Sequence, residues 1–369
     1  MGGAGERRGP GGCRHRLRPR AVRFHARGLQ FGGRGRLRVH RAARSARMKL
    51  ALIADIGGTH VRFALWRDGR PQALRVLATG DYPGPEEAIR AYLAALELPL
   101  AALETACLAC AGPVHGDRFS LTNNHWRFGR LALTHALGLR QLLVINDFAA
   151  MALGMTRLAE HERLTIRPGQ AAVGSPRLVL GPGTGLGVSA LLPDGPGNWR
   201  VLPGEGGHVD LPLGNSREVA LWQLLQRDLG HVSAESVLCG SGLLRLYRVS
   251  CRLDGQQPRL DSAAAVSAAA LAGEAGAMAV LEQFCCWLGR VAGNHALTLG
   301  ARGGVYLAGG ILPHFAAFLR DSGFSRCFVD KGVMSGYLQD IPVWLAVAEQ
   351  PGLLGAGLAL DAWAKRQPA

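Results

Sequence analysis

The strongest constraint on the fold is a strand, glycine turn and strand unit that occurs twice in the sequence. The first copy spans residues 50–66 around Gly57 and Gly58, and the second spans 178–192 around a glycine-rich turn at 181–187. Glycine allows the backbone to turn sharply because it has no Cβ. Two copies of one unit favour two similar α/β halves with a cleft between them over a single doubly wound sheet.

The pattern of apolar residues predicts further elements around these two units. We predict strands at 75–79, 105–111, 141–145, 304–308 and 341–347. We predict helices at 86–96, from 151 onward, at 219–225, as a pair within 262–298, and at 353–364.

The positive charge of the chain is concentrated before residue 48. Residues 1–47 hold fourteen Arg and one Glu, whereas the other 322 residues hold 28 basic and 26 acidic groups. We interpret residues 1–47 as a disordered basic extension that takes no part in the fold, and we expect translation to begin at Met48. The alternatives are a basic arm that binds nucleic acid or an anionic surface, and a transit peptide.

Composition excludes several classes of function. The longest uncharged stretch, residues 303–319, contains Pro313 and four glycines, so it is too short and too broken to span a membrane. The chain has only three lysines, and none follows a glycine as the Walker-type phosphate loop requires. If the protein handles ATP, we therefore expect backbone amides, carboxylates and a metal ion to hold it.

Both glycine turns are candidate phosphate-binding loops. In Asp55-Ile-Gly-Gly-Thr59 and in Gly181-Pro-Gly-Thr-Gly-Leu-Gly187, outward-facing N–H groups and a threonine hydroxyl can collect around a phosphate. Asp55, at the end of an apolar strand, can hold Mg²⁺ through water. The alternative is that both segments are ordinary hairpin turns.

Two polar segments are candidates for binding and activating a hydroxyl group. Asn146 and Asp147 directly follow a predicted buried strand, where Asp147 can act as a general base and Asn146 can hydrogen-bond a hydroxyl. Glu205 and His208 lie three residues apart among glycines and can grip a polyol. The alternatives are an Asx turn before a helix at the first segment and a polar turn at the second.

Nine short segments in one order give the chain a family resemblance. They are Ala54-Asp-Ile-Gly-Gly-Thr, Leu121-Thr-Asn, Ile145-Asn-Asp-Phe, Gly183-Thr-Gly-Leu-Gly, Pro203-Gly-Glu-Gly-Gly-His-Val-Asp, Gly230-His-Val-Ser-Ala-Glu, Gly304-Val-Tyr-Leu-Ala-Gly-Gly-Ile, Asp330-Lys-Gly and Asp340-Ile-Pro-Val. From Met48 to about Ala362 the chain resembles bacterial glucokinases of the non-repressor type, within the sugar-kinase and actin-like ATPase superfamily. The resemblance implies a two-domain α/β, ribonuclease H-like fold with a central cleft. It implies a small α/β domain of residues 48–158, completed by the C-terminal helix of residues 353–369, and a larger α/β domain of residues 159–352.

The resemblance also implies an activity and a set of site residues. It implies MgATP-dependent phosphorylation of D-glucose to glucose 6-phosphate in a cytoplasmic homodimer, with Asp147 as the general base. Sugar-binding positions match Asn123, Asn146, Asp147, Glu205, His208 and Asp228. Nucleotide-binding positions match Ala54, Asp55, Ile56, Gly57, Gly58, Thr59, Gly183, Thr184, Gly185, Gly309 and Gly310, and Asp55 would hold Mg²⁺ through water.

Two positions depart from the family pattern. His60 follows the first glycine turn where the family has Asn, and Asp228 stands where the family has Glu. A shorter carboxylate at 228 would weaken the expected contact with the sugar. The rival functions are a kinase for another hexose, and a sugar-binding regulator whose residues 1–47 bind nucleic acid.

The charge distribution generates a first prediction. Deleting residues 1–47 should leave the thermal unfolding temperature and the turnover of glucose with MgATP unchanged, because the patterned core begins only after Met48. The two proteins can be compared in one coupled assay. Lost turnover in the shortened protein, together with a native N-terminus upstream of Met48 by mass spectrometry, would contradict this interpretation.

Overall fold

The computed structural model describes residues 50–112, 114, 116–121 and 124–366. The basic extension 1–47 and the candidate sugar ligand Asn123 therefore lie outside the described residues.

Thirteen strands in the described residues form two large sheets and one small one. They are β1 (Leu50–Ile56), β2 (His60–Arg67), β3 (Arg70–Ala78), β4 (Leu103–Cys110), β5 (Arg118–Ser120), β6 (Arg127–Gly129), β7 (Gln141–Asn146), β8 (Arg163–Arg167), β9 (Arg177–Pro182), β10 (Leu186–Pro193), β11 (Trp199–Gly204), β12 (Val305–Leu307) and β13 (Val343–Ala346). The first sheet has the order β3-β2-β1-β4-β7 and the second has the order β11-β10-β9-β12-β13-β8. Strands β5 and β6 form the small sheet.

The two large sheets repeat one arrangement. In each, an antiparallel three-stranded meander is followed by two strands that run parallel to its first strand. The second sheet adds the antiparallel edge strand β8. The duplicated unit predicted from the glycine turns is thus confirmed.

Eleven helices of the described residues cover these sheets. They are α1 (Pro85–Ala94), α2 (Arg130–Ala136), α3 (Asp147–Met155), α4 (Ser216–Leu229), α5 (Gly240–Leu253), α6 (Ala263–Leu271), α7 (Ala275–Leu299), α8 (Ala316–Asp321), α9 (Phe324–Val329), α10 (Ser335–Leu338) and α11 (Pro351–Lys365). The second sheet packs against the largest apolar cluster, in which the long helix α7 is mostly buried. A separate cluster lies on one face of the first sheet.

Strand register places the candidate polar residues at one edge of the first sheet. The strands β1, β4 and β7 are parallel; β1 and β4 are mostly buried, and β7 is mostly half-buried. Asp55 lies level with Ala109 and Ile145, and Ile56 lies level with Cys110 and Asn146. The carboxyl ends of all three strands therefore meet where Asp55 and Asn146 emerge.

Helices α3 and α11 cross in unusually close contact. A Cβ atom on Gly154 would meet the Pro351 carbonyl, and one on Gly355 would meet the Ala150 carbonyl. Close approach of this kind requires glycine at the crossing, because any side chain would push the two backbones apart. The start of α3, and with it Asp147, is thereby fixed against α11.

The predicted strands and helices are confirmed, with shifted ends, but one start is wrong and several elements were missed. The helix predicted from 151 onward begins at Asp147, because the Asn146 side chain caps it and accepts a hydrogen bond from the Ala149 N–H. The elements without a prediction are strands β5, β6, β8 and β11 and helices α2, α5, α8, α9 and α10. Helix α5 has a clear helical period, with a buried apolar face and three arginines on its other side, yet we predicted no helix there.

The described residues contain no single helix that is both long and apolar enough to cross a membrane. Helices α6 and α7 pass that test only as a pair, bent by 110° at the break between them.

Candidate active site

The first glycine turn follows Asp55 at the carboxyl end of β1, and two hydrogen bonds fix its backbone. The Gly57 N–H donates to the His60 carbonyl at 3.0 Å, which closes the turn between β1 and β2. The Thr79 hydroxyl donates to the Gly58 carbonyl at 3.1 Å and holds the turn from the side. Burial raises the pKa of the Asp55 carboxyl, and Arg62, whose guanidinium lies 3.8 Å away, partly offsets this.

The second glycine turn is tighter than the sequence suggests, since the strands β9 and β10 extend into it. Only residues 183–185 remain outside the ladder, and the Gly183 N–H donates to the Gly185 carbonyl at 2.7 Å. A Cβ atom on Gly187 would collide with the Phe148 ring. Glycine at 187 therefore lets this turn pack against the residue that follows Asp147.

Asp147 is the first residue of α3 and has one oxygen held and one oxygen free. Its Oδ1 accepts from its neighbours, from the Phe148 N–H at 2.8 Å and from Asn146 Nδ2 at 3.1 Å. Asn146 Nδ2 also donates to the Gly112 carbonyl. Within the described part of the chain, Oδ2 has no hydrogen-bond partner, so it is the atom available to a substrate hydroxyl.

The environment of Asp147 makes it a better base than an exposed aspartate. Burial raises its pKa to about 6, and the nearby carboxylates of Asp55 and Glu205 add to that rise, while the Phe148 N–H opposes it. An aspartate in water has a pKa near 3.9. A carboxylate with a pKa near 6 is still mostly ionised at pH 7 and accepts a proton more readily.

Glu205 precedes a short 3₁₀ turn that ends at His208, and the side chain of Glu235 lies near His208. The His208 N–H donates to the Glu205 carbonyl at 3.0 Å, which fixes their spacing. His208 Nε2 lies 3.9 Å from Glu235 Oε1, and Glu235 Oε2 accepts from the Leu186 N–H at 2.7 Å. Glu235 thus connects the polar turn to the second glycine turn.

The structure does not bring Asp228 into this group. Its carboxylate accepts from both terminal nitrogens of Arg252, at 3.0 and 3.3 Å, and the pair is roughly half exposed. Asp228 lines a separate cavity together with arginines of α5. In this structure the Asp228 carboxylate is paired with Arg252.

A cleft of about 730 Å³ lies beside the two glycine turns. It is bordered by Asp55 and Arg62 from the first sheet, and by Gly183, Thr184 and the pair Gly309–Gly310 from the second. Its size suits a nucleotide, and glycines on its wall leave backbone groups accessible. The start of α5 joins this wall, because the Gly240 N–H donates to the Gly183 carbonyl at 2.9 Å.

The cleft offers the Asp55 carboxylate to a magnesium ion, and water and phosphate oxygens would supply the remaining ligands. The Asp55 carboxylate faces the cleft, and its only recorded partner in the described residues is the Arg62 guanidinium. No cluster of three or more His, Cys, Asp or Glu in the described ranges could hold a metal by itself. Magnesium is typically held by one or two carboxylates with water and phosphate oxygens.

One buried histidine supports the polar turn from behind. His295 on α7 lies 3.1 Å from the Gly206 carbonyl through Nε2. Burial lowers the pKa of His295, so its ring is neutral at pH 7 and Nε2 carries the proton that it donates. Nothing in the sequence pattern pointed to this residue, because it lies almost ninety positions from the turn.

A family model and the relatives of high sequence identity point to one family. A sequence model described as glucokinase matches residues 52–363. The glucokinase of Pseudomonas paraeruginosa is 57% identical over 313 residues, which cover 85% of this chain and 92% of that protein. A crystal structure of glucokinase from an Antarctic psychrotroph, 36% identical, has a TM-score of 0.76 and covers 85% of this chain and 99% of that one.

A more distant structure is similar in fold. It is a ROK family glucokinase from Streptomyces griseus in complex with glucose and AMPPNP, with 20% identity and a TM-score of 0.57. The similarity covers 84% of this chain and 98% of that one.

The contact between His295 and Gly206 generates a second prediction. His295→Ala should raise the KM for glucose by about three- to tenfold, because the Gly206 carbonyl loses its donor and the turn that carries Glu205 and His208 loosens. The kcat should change less than threefold. His295→Gln, which can still donate to that carbonyl, should recover most of the loss. Equal defects in both variants would show that the hydrogen bond is not what matters.

Proposed function

The chain belongs to the glucokinase family, and from that premise we propose that it transfers the γ-phosphoryl group of ATP to the 6-hydroxyl of D-glucose, with Asp147 as the general base. Its fold is that of the sugar-kinase and actin-like ATPase superfamily, and as a family member it is an ATP-dependent hexokinase. The observation that carries the assignment of the base is the Asp147 carboxylate, with one oxygen held, one oxygen free and a raised pKa.

Asp147 would orient the sugar hydroxyl and take its proton. Its fixed Oδ1 prevents the carboxylate from rotating, so the free Oδ2 presents a defined direction to the incoming hydroxyl. Phosphoryl transfer proceeds through a loose transition state, in which the proton moves late and positioning dominates. Asn146 completes the arrangement, since it caps α3 and holds Asp147 Oδ1.

The two glycine turns would bind the phosphates of ATP. Charge develops on the non-bridging oxygens, and backbone N–H groups pre-set by the turns can stabilise that charge without reorganising. Thr59 and Thr184 can add hydroxyl donors at the two turns, and Gly309 and Gly310 would lie against the adenosine. The cleft of about 730 Å³ beside these residues supports this assignment.

The sugar hydroxyls would form hydrogen bonds with Glu205, His208 and Glu235. The distance of 3.9 Å from His208 to Glu235 supports a shared ligand, because charged acceptors and a ring nitrogen converge on one point. We assign to Glu235 the role that the resemblance gave to Asp228, whose carboxylate is engaged by Arg252. Asn123 keeps its proposed sugar contact by resemblance alone.

Asp55 would hold a magnesium ion through water. When bound, the ion would neutralise charge on the β- and γ-phosphates. The protein's part is to keep Asp55 ionised and aimed into the cleft, and Arg62 assists by lowering the pKa that burial raises.

We also propose a domain division and a cellular setting. Residues 48–158 with the helix of residues 353–369 would form one domain and residues 159–352 the other, and closure on glucose would exclude water from the phosphates. Resemblance to the family supports a homodimer in the cytoplasm.

Sugar profiling separates the leading rival from this function. A coupled assay with glucose, mannose and glucosamine under saturating MgATP should give the highest kcat/KM for glucose. A regulator without turnover is less well supported, because the relatives of more than half identity are glucokinases. Absence of turnover with every hexose would favour it nonetheless.

The raised pKa of Asp147 generates a third prediction. In the wild type, kcat/KM for glucose should fall as the pH drops through about 6, because the carboxyl becomes protonated and cannot accept a proton. Asp147→Asn should lower kcat by about 10²–10⁴ and leave the Kd for glucose within a few fold.

The control is Asp321→Asn, which removes an exposed carboxylate on α8. It should keep both the rate and the pH profile of the wild type. Turnover of Asp147→Asn within tenfold of the wild type would remove this residue from the role of base.

A matched pair of variants tests which carboxylate binds the sugar. Glu235→Gln should raise the KM for glucose by about ten- to hundredfold, because a charge-assisted hydrogen bond contributes roughly 1.5–3 kcal/mol. Asp228→Asn should change it less than threefold, since only an exposed ion pair is lost. The reverse pattern would return the sugar contact to Asp228.

A further inference from the structure

We propose that a groove along helix α5 binds a small phosphorylated metabolite at a site separate from the catalytic cleft. The groove consists of two cavities of about 300 and 460 Å³, which share the side chains of Ser241 and Arg245. We call it the arginine groove. Its larger cavity is lined by Asp228, Ser241, Arg245, Arg248 and Arg252, none of which takes part in the proposed phosphoryl transfer. The smaller cavity also borders Glu235 and Thr184, which the proposed function assigns to sugar and phosphate, so the proposed site is the larger cavity.

Three arginines give the groove its charge. Arg245, Arg248 and Arg252 follow one another at helical spacings of three and four, so their side chains share one face of α5. In the second cavity the only carboxylate facing them is Asp228, which is already paired with Arg252. An excess of positive charge therefore lines the groove.

Arg248 is the residue that most needs an explanation. Arg245 donates to the Ser236 carbonyl, and Arg252 is held by Asp228. Among the described residues, Arg248 makes no recorded hydrogen bond or ion pair, although it lies on the wall of a cavity beside two other guanidinium groups. Arg248 is exposed, so its guanidinium can bind an anion without giving up a partner among the described residues.

The geometry favours phosphoryl groups as the ligand chemistry. A guanidinium presents a planar fork of N–H donors that matches phosphate oxygens bidentately. Arg245 and Arg248 lie one helical turn apart, where Cβ atoms are separated by roughly 5–6 Å, so both can reach one phosphoryl or diphosphate group. The hydroxyl of Ser241 lies in both cavities and adds a neutral donor.

The size and charge of the surroundings favour a small molecule over a nucleic acid. Together the cavities match the volume range of small-molecule sites. Beyond residue 47 the chain holds 28 basic and 26 acidic groups, so no broad basic face extends the groove. The first cavity also reaches Thr184 of the second glycine turn, so a test must keep the nucleotide cleft filled.

Calorimetric titration of the full chain tests the proposal. Inorganic pyrophosphate and a hexose monophosphate are titrated separately, each with a saturating non-hydrolysable ATP analogue that occupies the glycine turns. At least one probe should bind, and Arg248→Gln should weaken that binding about tenfold or more. The two probes distinguish an inorganic diphosphate from a sugar phosphate as the source of the phosphoryl group.

Arg320→Gln is the matched control, since it neutralises an exposed arginine on α8 that pairs with Asp321. It should bind the probe as the wild type does. Thermal unfolding should show that Arg248→Gln, an exposed substitution, remains folded. No binding of either probe, or equal binding by the wild type and Arg248→Gln, would overturn the proposal.

Discussion

The candidate site depends on two carboxylates that are largely buried at the carboxyl ends of parallel strands. Parallel strands β1, β4 and β7 all end at this edge, and Asp55 and Asp147 emerge there with little water around them. Burial raises the pKa of both carboxyls, and the charge of Asp55 raises that of Asp147 further, because two like charges in a poorly solvated place are costly. The cation Arg62 and the hydrogen bonds to Asp147 Oδ1 make that cost tolerable.

Glu235 connects the two parts of the site that lie far apart in sequence. One of its oxygens accepts from the Leu186 N–H, directly after the second glycine turn, and the other faces His208. Glu235 thus lies between the turn proposed to hold phosphate and the turn proposed to hold sugar. A single carboxylate can in this way make the binding of one substrate sensitive to the other.

The sequence predicted those features that depend on short-range pattern. The duplicated unit, the two glycine turns and the polar residues after β7 all follow from apolar runs and from glycine chemistry. The raised pKa of Asp147 was not predictable, because it depends on burial and on Asp55, which lies more than ninety residues earlier in the chain.

Glu235 and His295 also contact residues that are distant from them in the sequence, and their proposed roles depend on those contacts. Each acts on the turn at Gly206–His208, and neither belongs to the segment that forms it. Asp228 shows the reverse relation between motif and contact. Its place in a familiar motif suggested a sugar contact, whereas its nearest charged partner is an arginine on the next helix. A motif fixes the neighbours along the chain, and the fold decides which of them face the cleft.

The glycine crossing of α3 and α11 has a consequence for how damaging substitutions would be recognised. Gly355 lies on the opposite helix from Asp147, yet a methyl group there would press on the Ala150 carbonyl within the first turn of α3. The backbone that orients the Asp147 carboxylate would then tilt, although none of the residues assigned to the site had been substituted. A survey of inactivating alleles would therefore report the buried face of the last helix as part of the catalytic apparatus.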